Sequence, residues 1–257
     1  MKNILRNKKL IVANWKMNPG NLSDARKIFS GLKKAKIKAS RTINVICPPS
    51  IFLGDLASDY SGNKFIFGAQ DVSFRQENES TGEIGTEILK SLGITFVIVG
   101  HSERRALGET DEIVSLKARA AITGGLIPII CVGEPERDAT GAYLRTVEEQ
   151  LSGSLAKISR SDIKKVIIAY EPIWSIGAGH KAPSSSQIHQ MTLFIRKILS
   201  RIYNRKAAMD VPILYGGSVD VDNCREIIRH GETDGLLIGR ASLNQFVLAD
   251  ILKVLNK

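Results

Sequence analysis

A chain of 257 residues, 43% hydrophobic and 24% charged, has the balance of an ordinary globular protein and the length to bury a full core. That balance excludes a disordered, collagenous or disulfide-scaffold chain, and the longest apolar runs, such as residues 94–100, are far too short for a membrane span. The net charge is +10, and residues 1–41 concentrate it, with twelve lysines and arginines against Asp24 alone.

A basic front end raises the question of an anionic partner. Ala25, Ile28, Phe29, Leu32 and Ala35 recur there at helical spacing, with Arg26, Lys27, Lys33 and Lys34 between them. No aromatic–basic interleaving and no finger or RNP motif accompanies them. The expectation is a solvated helix face, with no nucleic-acid partner and no membrane. The opening MKNILRNKKL lacks the apolar core of a signal peptide. Cys47, Cys131 and Cys224 are odd in number and never form C-x-x-C, which points to a reducing cytoplasmic setting and against a zinc site.

Eight short β-branched runs follow one another, at residues 10–13, 43–47, 65–68, 96–100, 127–132, 166–170, 213–215 and 236–239. They are nearly continuous in apolar residues, as strands buried on both faces are. Helical patterns separate them at 25–35, 83–92, 111–123, 143–158, 184–201 and 222–230. Such a chain forms either a doubly wound sheet or a closed (β/α)8 barrel. The count of eight favours the barrel, as one domain over residues 1–257. Both architectures place chemistry at the carboxyl ends of strands, so the residues after each run matter most.

The first run ends in Asn14-Trp15-Lys16-Met17-Asn18. Lys16 is either a clamp on an anion or a snorkelling surface lysine. The fourth ends in Gly100-His101-Ser102-Glu103-Arg104-Arg105, where Ser102 can cap a helix. A histidine beside a helix N-terminus is held neutral and can donate a hydrogen bond, or it is simply structural. The sixth ends in Tyr170-Glu171-Pro172. Glu171, Glu103 and Glu134 are the acids placed at strand ends for acid–base work. Burial would raise Glu171 toward a useful base, unless it is a structural partner of an arginine.

Gly177-Ala178-Gly179-His180-Lys181-Ala182 matches a loose dinucleotide fingerprint, but no Asp or Glu occurs from Pro172 through Met209 to bind a ribose. A mobile loop with an apolar tip, able to cover a site, fits better. The seventh and eighth runs end in Gly216-Gly217-Ser218-Val219 and Gly239-Arg240-Ala241-Ser242. Glycines before a short helix start expose N–H groups that bind phosphate, or they are plain turn chemistry.

Taken together, Asn14-Trp15-Lys16-Met17-Asn18, the 100–105 motif, the stretch 170–179 and Tyr215-Gly216-Gly217-Ser218-Val219 resemble the signatures of the triosephosphate isomerase family, in that family's order and spacing. Gly68-Ala69-Gln70-Asp71, Thr81-Gly82-Glu83 and Cys131-Val132-Gly133-Glu134 match as well.

The resemblance implies interconversion of dihydroxyacetone phosphate and glyceraldehyde 3-phosphate, in glycolysis and gluconeogenesis, with no metal and no organic cofactor. A paralogous isomerase of a tetrulose phosphate would share the same catalytic residues. The implied catalytic set is Glu171 as the base, neutral His101 as the donor to substrate oxygens, Lys16 as the positive charge, Asn14 holding Lys16 and the substrate, and Glu103 as an acid behind the histidine. Phosphate would be bound by backbone N–H groups of Gly177, Ser218, Gly239 and Arg240. The lid would be the loop from Pro172, Ile173, Trp174 and Ser175 through Ile176, Gly177, Ala178 and Gly179 to Ala182. Ile176 and Leu237 would press on Glu171 and dry the site.

The segment 70–81 resembles a protruding loop that pairs two subunits, Thr81 being its contact beside Lys16 of the partner subunit, so the resemblance implies a homodimer. Three departures stand out. Arg240 replaces a glycine common in the family, which a positive φ there would penalise. Ala178 replaces a common threonine, and 75–80 is unusually polar.

Overall fold

The computed structural model describes residues 8–75, 80–175 and 182–257. Eight parallel strands close into a barrel in sequence order. They are β1 (Lys9–Asn14), β2 (Thr42–Cys47), β3 (Phe65–Ala69), β4 (Phe96–Val99), β5 (Ile127–Val132), β6 (Ile167–Tyr170), β7 (Ile213–Tyr215) and β8 (Gly235–Ile238). The expected (β/α)8 barrel is what the chain forms, and the strand limits lie within a residue or two of the apolar runs.

The ring closes where β1 pairs with both β2 and β8, Leu10 lying opposite Ile43 and Gly235. Leu10 and Val12 of β1 point into the barrel, where they pack with Val45, Phe96, Ile98, Ile129, Ile167 and Leu214. Ile11 and Ala13 point outward into a second apolar layer beneath the helices. This two-sided burial is why the strands read as unbroken apolar runs. Truncating one of these leucines or isoleucines to alanine costs about 2–5 kcal/mol.

The helices of the outer ring begin with α1 (Leu22–Lys34), α2 (Ser50–Ser58), α3 (Thr86–Ser91), α4 (Ser102–Ala106) and α5 (Asp111–Thr123). They continue with α6 (Ala142–Ser154), α7 (Ser185–Ile202), α8 (Arg205–Asp210), α9 (Cys224–His230) and α10 (Gln245–Leu255). Side chains fix several starts: Asn21, Thr110 and Asn204 each accept from a backbone N–H three residues on, and Ser184 and Gln187 form a reciprocal capping box. The 83–92 and 143–158 patterns yield shorter helices than the apolar spacing suggested. The extended Gly85 is the N-cap of α3, and Leu155 is the C-cap of α6. No helix among the described residues is long and apolar enough to cross a membrane.

Candidate active site

All eight strands end on one side of the barrel, and there a cavity of about 530 Å³ opens between the strand-end loops. It is lined by nine of the residues singled out above: Asn14, Lys16, His101, Glu103, Glu171, Ser218, Leu237, Gly239 and Arg240. Gly177, and the lid residues Ile176, Ala178 and Gly179, lie outside the described residues.

Glu171 follows β6 directly and is 2% exposed. Its backbone N–H donates to Val132 O, 2.8 Å away. Two glycines make room for it. A Cβ on Gly133 would fall 1.8 Å from the Glu171 carbonyl oxygen, and one on Gly216 would fall 2.8 Å from Glu171 Cγ. The carboxylate then meets two donors. His101 Nε2 is 3.2 Å from Oε1, and the Ser102 N–H donates to Oε2 at 3.3 Å.

His101, buried after β4, is the N-cap of α4, a role the sequence assigned to Ser102. The ring wins because its Nδ1 accepts the Glu103 N–H at 3.2 Å. An accepting Nδ1 leaves the proton on Nε2, the atom that faces Glu171. A residue that the sequence gave no role holds this loop. Arg105 Nε donates to Gly100 O, and its other nitrogens reach Asp111, Cys131 O and Ser154 Oγ.

Lys16 stands in the left-handed region at φ +53°, strained for a side chain that is not glycine. Three contacts enforce it. Its N–H donates to Asn14 Oδ1 at 3.0 Å, its carbonyl accepts from Gln70 Nε2 at 2.9 Å, and its Nζ donates to Glu103 Oε1 at 2.7 Å. Asn14 is itself buried, so the strand end, Gln70 and Glu103 together aim one ammonium into the cavity. Below Glu171, burial first and the Glu171 charge second hold the Cys131 thiol well above its usual range, so it stays a neutral filler.

On the far side, Ser218 and Gly239 carry backbone N–H groups past β7 and β8. No helix starts at Ser218, as the 222–230 helical pattern implied. The chain turns there, and α9 begins only at Cys224. After β8 a single 3-10 turn runs from Arg240 to Leu243. Arg240 has no positive φ, so the substitution of glycine carries no backbone penalty. It is exposed. Leu237 is buried within the barrel interior.

Glu134 does not line the cavity. It is fully buried and accepts from Tyr170 OH at 2.8 Å and Trp174 Nε1 at 2.9 Å. Burial, then this carboxylate, push the Tyr170 phenol far up, which keeps it a donor. Pro172 O accepts from both the N–H and the hydroxyl of Ser175, within a 3-10 turn over Ile173–Ser175. The first part of the expected lid is thus anchored structure.

A second cavity of about 420 Å³ adjoins the first and is lined by Lys16, Met17, Gln70, Asp71, Gly82 and Leu107 among others. Met17 is 92% and Leu107 78% exposed at its edge. Beneath it, buried Lys117 bridges Asp71 and Glu109. Thr81 is exposed beside this cavity.

A family profile described as Triosephosphate isomerase matches residues 9–255. A triosephosphate isomerase of Rhodopirellula baltica is 39% identical over 247 residues, 95% of this chain and 96% of the other. One of Herpetosiphon aurantiacus is 40% identical over 249 residues, 95% and 97% of the two chains. One of Coprinopsis cinerea is 38% identical over 232 residues, 90% and 91% of the two chains.

Proposed function

The chain belongs to the triosephosphate isomerase family, and from that premise we propose that it interconverts dihydroxyacetone phosphate and glyceraldehyde 3-phosphate through an enediolate. The observation that carries this reading is the 3.2 Å approach of His101 Nε2 to Glu171 Oε1 in a cavity that also receives the Lys16 ammonium.

The Glu171 carboxylate takes the proton from the carbon beside the carbonyl. The electron pair left behind forms the enediolate, whose negative oxygen is stabilised by Lys16 and by the His101 Nε2–H. His101 moves protons between the two oxygens, and Glu171 returns its proton to the neighbouring carbon. Asn14 positions Lys16 and the substrate. Glu103 restrains both Lys16 and His101, its carboxylate accepting from Lys16 Nζ and its backbone N–H donating to His101 Nδ1. No net oxidation occurs, so the reaction calls for no metal and no organic cofactor.

Backbone N–H groups of Ser218, Gly239 and Arg240, with Gly177, bind the phosphate. The loop 172–182 closes over it, and Leu237 with Ile176 excludes water from Glu171. The reaction belongs to glycolysis and gluconeogenesis, in the cytoplasm, within one barrel domain. The chain works as a homodimer, the segment 70–81 with Thr81 filling the second cavity of the other copy. Exposed Met17 and Leu107 at that cavity support the pairing. Substrate recognition involves no nucleic acid and no membrane span.

Turnover of glyceraldehyde 3-phosphate and of a tetrulose phosphate, measured side by side on the purified chain, tests this proposal. Fast turnover of the triose phosphate is expected. Preference for the tetrulose phosphate would keep the mechanism and reassign the substrate. Inactivity on both would overturn the proposal.

A further inference from the structure

The isomerase chemistry makes no use of a net charge of +10, and the fold separates that charge by end. Some segments lead into strands: 35–41, 59–64, 92–95, 124–126, 155–166, 203–212 and 231–234. With Lys8 and the tail 256–257, they carry twelve lysines and arginines against five carboxylates by sequence. The segments that follow strands, α4 included, carry seven against twelve. The end of the barrel opposite the cavity is therefore strongly positive.

Helix geometry accounts for part of this. Lysines in a last helical turn complement the dipole, as Lys33 and Lys34 do in α1. The effect fades beyond that turn, yet Lys36, Lys38 and Arg41 lie past it, all exposed. Several cations of this end are also tied to carbonyl oxygens. Lys8 donates to Ala39 O, Lys9 to Thr233 O, and Lys64 to Lys33 O and Ala35 O. A carbonyl orders the ammonium without cancelling its charge.

We propose that this end of the barrel is a docking face for an anionic lipid bilayer. Its breadth favours that partner. Lys36, Lys38 and Arg41 lead into β2, while the exposed Lys164 and Lys165, the latter paired with Asp162, lead into β6, half-way round the closed ring. A partner touching both must extend in two dimensions. Among the described residues the face offers no exposed aromatic ring to stack a base: Tyr203 is buried, and Tyr60 is half-buried with its ring packed against Phe29 and Phe65. The chain joins this face at Lys8. Contact is peripheral and reversible, since no described helix can span. The cavity at the other end stays open to substrate, and a second copy seated there leaves this face free.

The test is flotation of the full chain with phosphatidylcholine vesicles, with and without phosphatidylglycerol. Binding to the anionic vesicles alone is expected, with release between about 50 and about 500 mM salt. Each cation near such a leaflet is worth about fivefold in partitioning, so Lys36→Glu, Lys38→Glu and Arg41→Glu together lower it about a hundredfold or more. Turnover of that variant stays within about twofold, which shows that it is folded. A control triple of equal charge on the outer walls and the other end, Lys27→Glu, Arg145→Glu and Arg225→Glu, keeps most of the binding. Equal loss in the control would overturn the assignment to this face. So would no binding to anionic vesicles at low salt, or binding to DNA oligonucleotides without binding to vesicles.

Discussion

The two ends of the barrel are made from the same eight strands, but they use side chains in opposite ways. In the cavity at the carboxyl end, the groups that act together are held by close contacts: Glu171 at 2% exposure, His101 within reach of it, and Lys16 forced to a positive φ by three hydrogen bonds. At the amino end cations predominate, exposed or half-buried, and are tethered to carbonyls, to a carboxylate such as Asp162, or to solvent. A buried group must be satisfied by geometry, so one atom out of place is costly. An exposed charge in water interacts weakly and over a distance, so only its number matters. The contrast predicts that single substitutions act strongly at one end, and only sets of them at the other.

The largest effect is expected for Glu171→Gln. It keeps the size of the side chain but removes the base, so kcat should fall by about 10²–10⁴ with an unchanged circular dichroism spectrum. Near-normal turnover would remove the proposed base. Gly216→Ala sharpens the geometric half of the contrast. Its new methyl would press on Glu171 Cγ, and displacing the carboxylate should lower kcat about ten- to a hundredfold. Gly20→Ala, with nothing within 4 Å of the added carbon, should be silent in the same assay.

The smallest effect lies at the basic end. Hydrogen bonds from Lys165 first, and Ser159 next, hold the Asp162 carboxyl down to about 2, from an ordinary 3.8. A depressed value means the ionised group adds stability above pH 3.8 and loses that contribution as pH falls through 2. Asp162→Asn should therefore melt slightly below the parent chain at neutral pH. The gap should close toward pH 2 in thermal melts. A gap that persists unchanged at pH 2 would show that the ion pair is not its source.

Much of the fold was legible because both strand faces are buried. Leu10 and Val12 fill the barrel while Ile11 and Ala13 meet the helices, so the run is apolar without interruption. The helix α10 escaped the sequence reading although Asn244 caps it, its oxygen accepting from Phe246 and Val247. A short, largely apolar helix close behind the eighth run offers little period to detect. Within the site, Lys16, His101 and Glu171 could be found because each lies within two residues of the end of a buried strand. Gln70 and Arg105 could not be given roles. They act on carbonyls of Lys16, Cys47, Gly100 and Cys131, and most of those partners are remote in the chain. Such contacts depend on how the ring closes, which no local pattern encodes. The histidine cap was missed for a related reason: serine is the better cap by type, but the His101 ring is oriented by the turn it occupies.

The most direct test of the active-site account is a crystal structure with a phosphate-bearing hydroxamate that mimics the enediolate. The account predicts its phosphate on the N–H groups of Ser218, Gly239 and Arg240, and its two oxygens between Lys16 Nζ and His101 Nε2, beside Glu171. Binding of the mimic anywhere outside this cavity would contradict it.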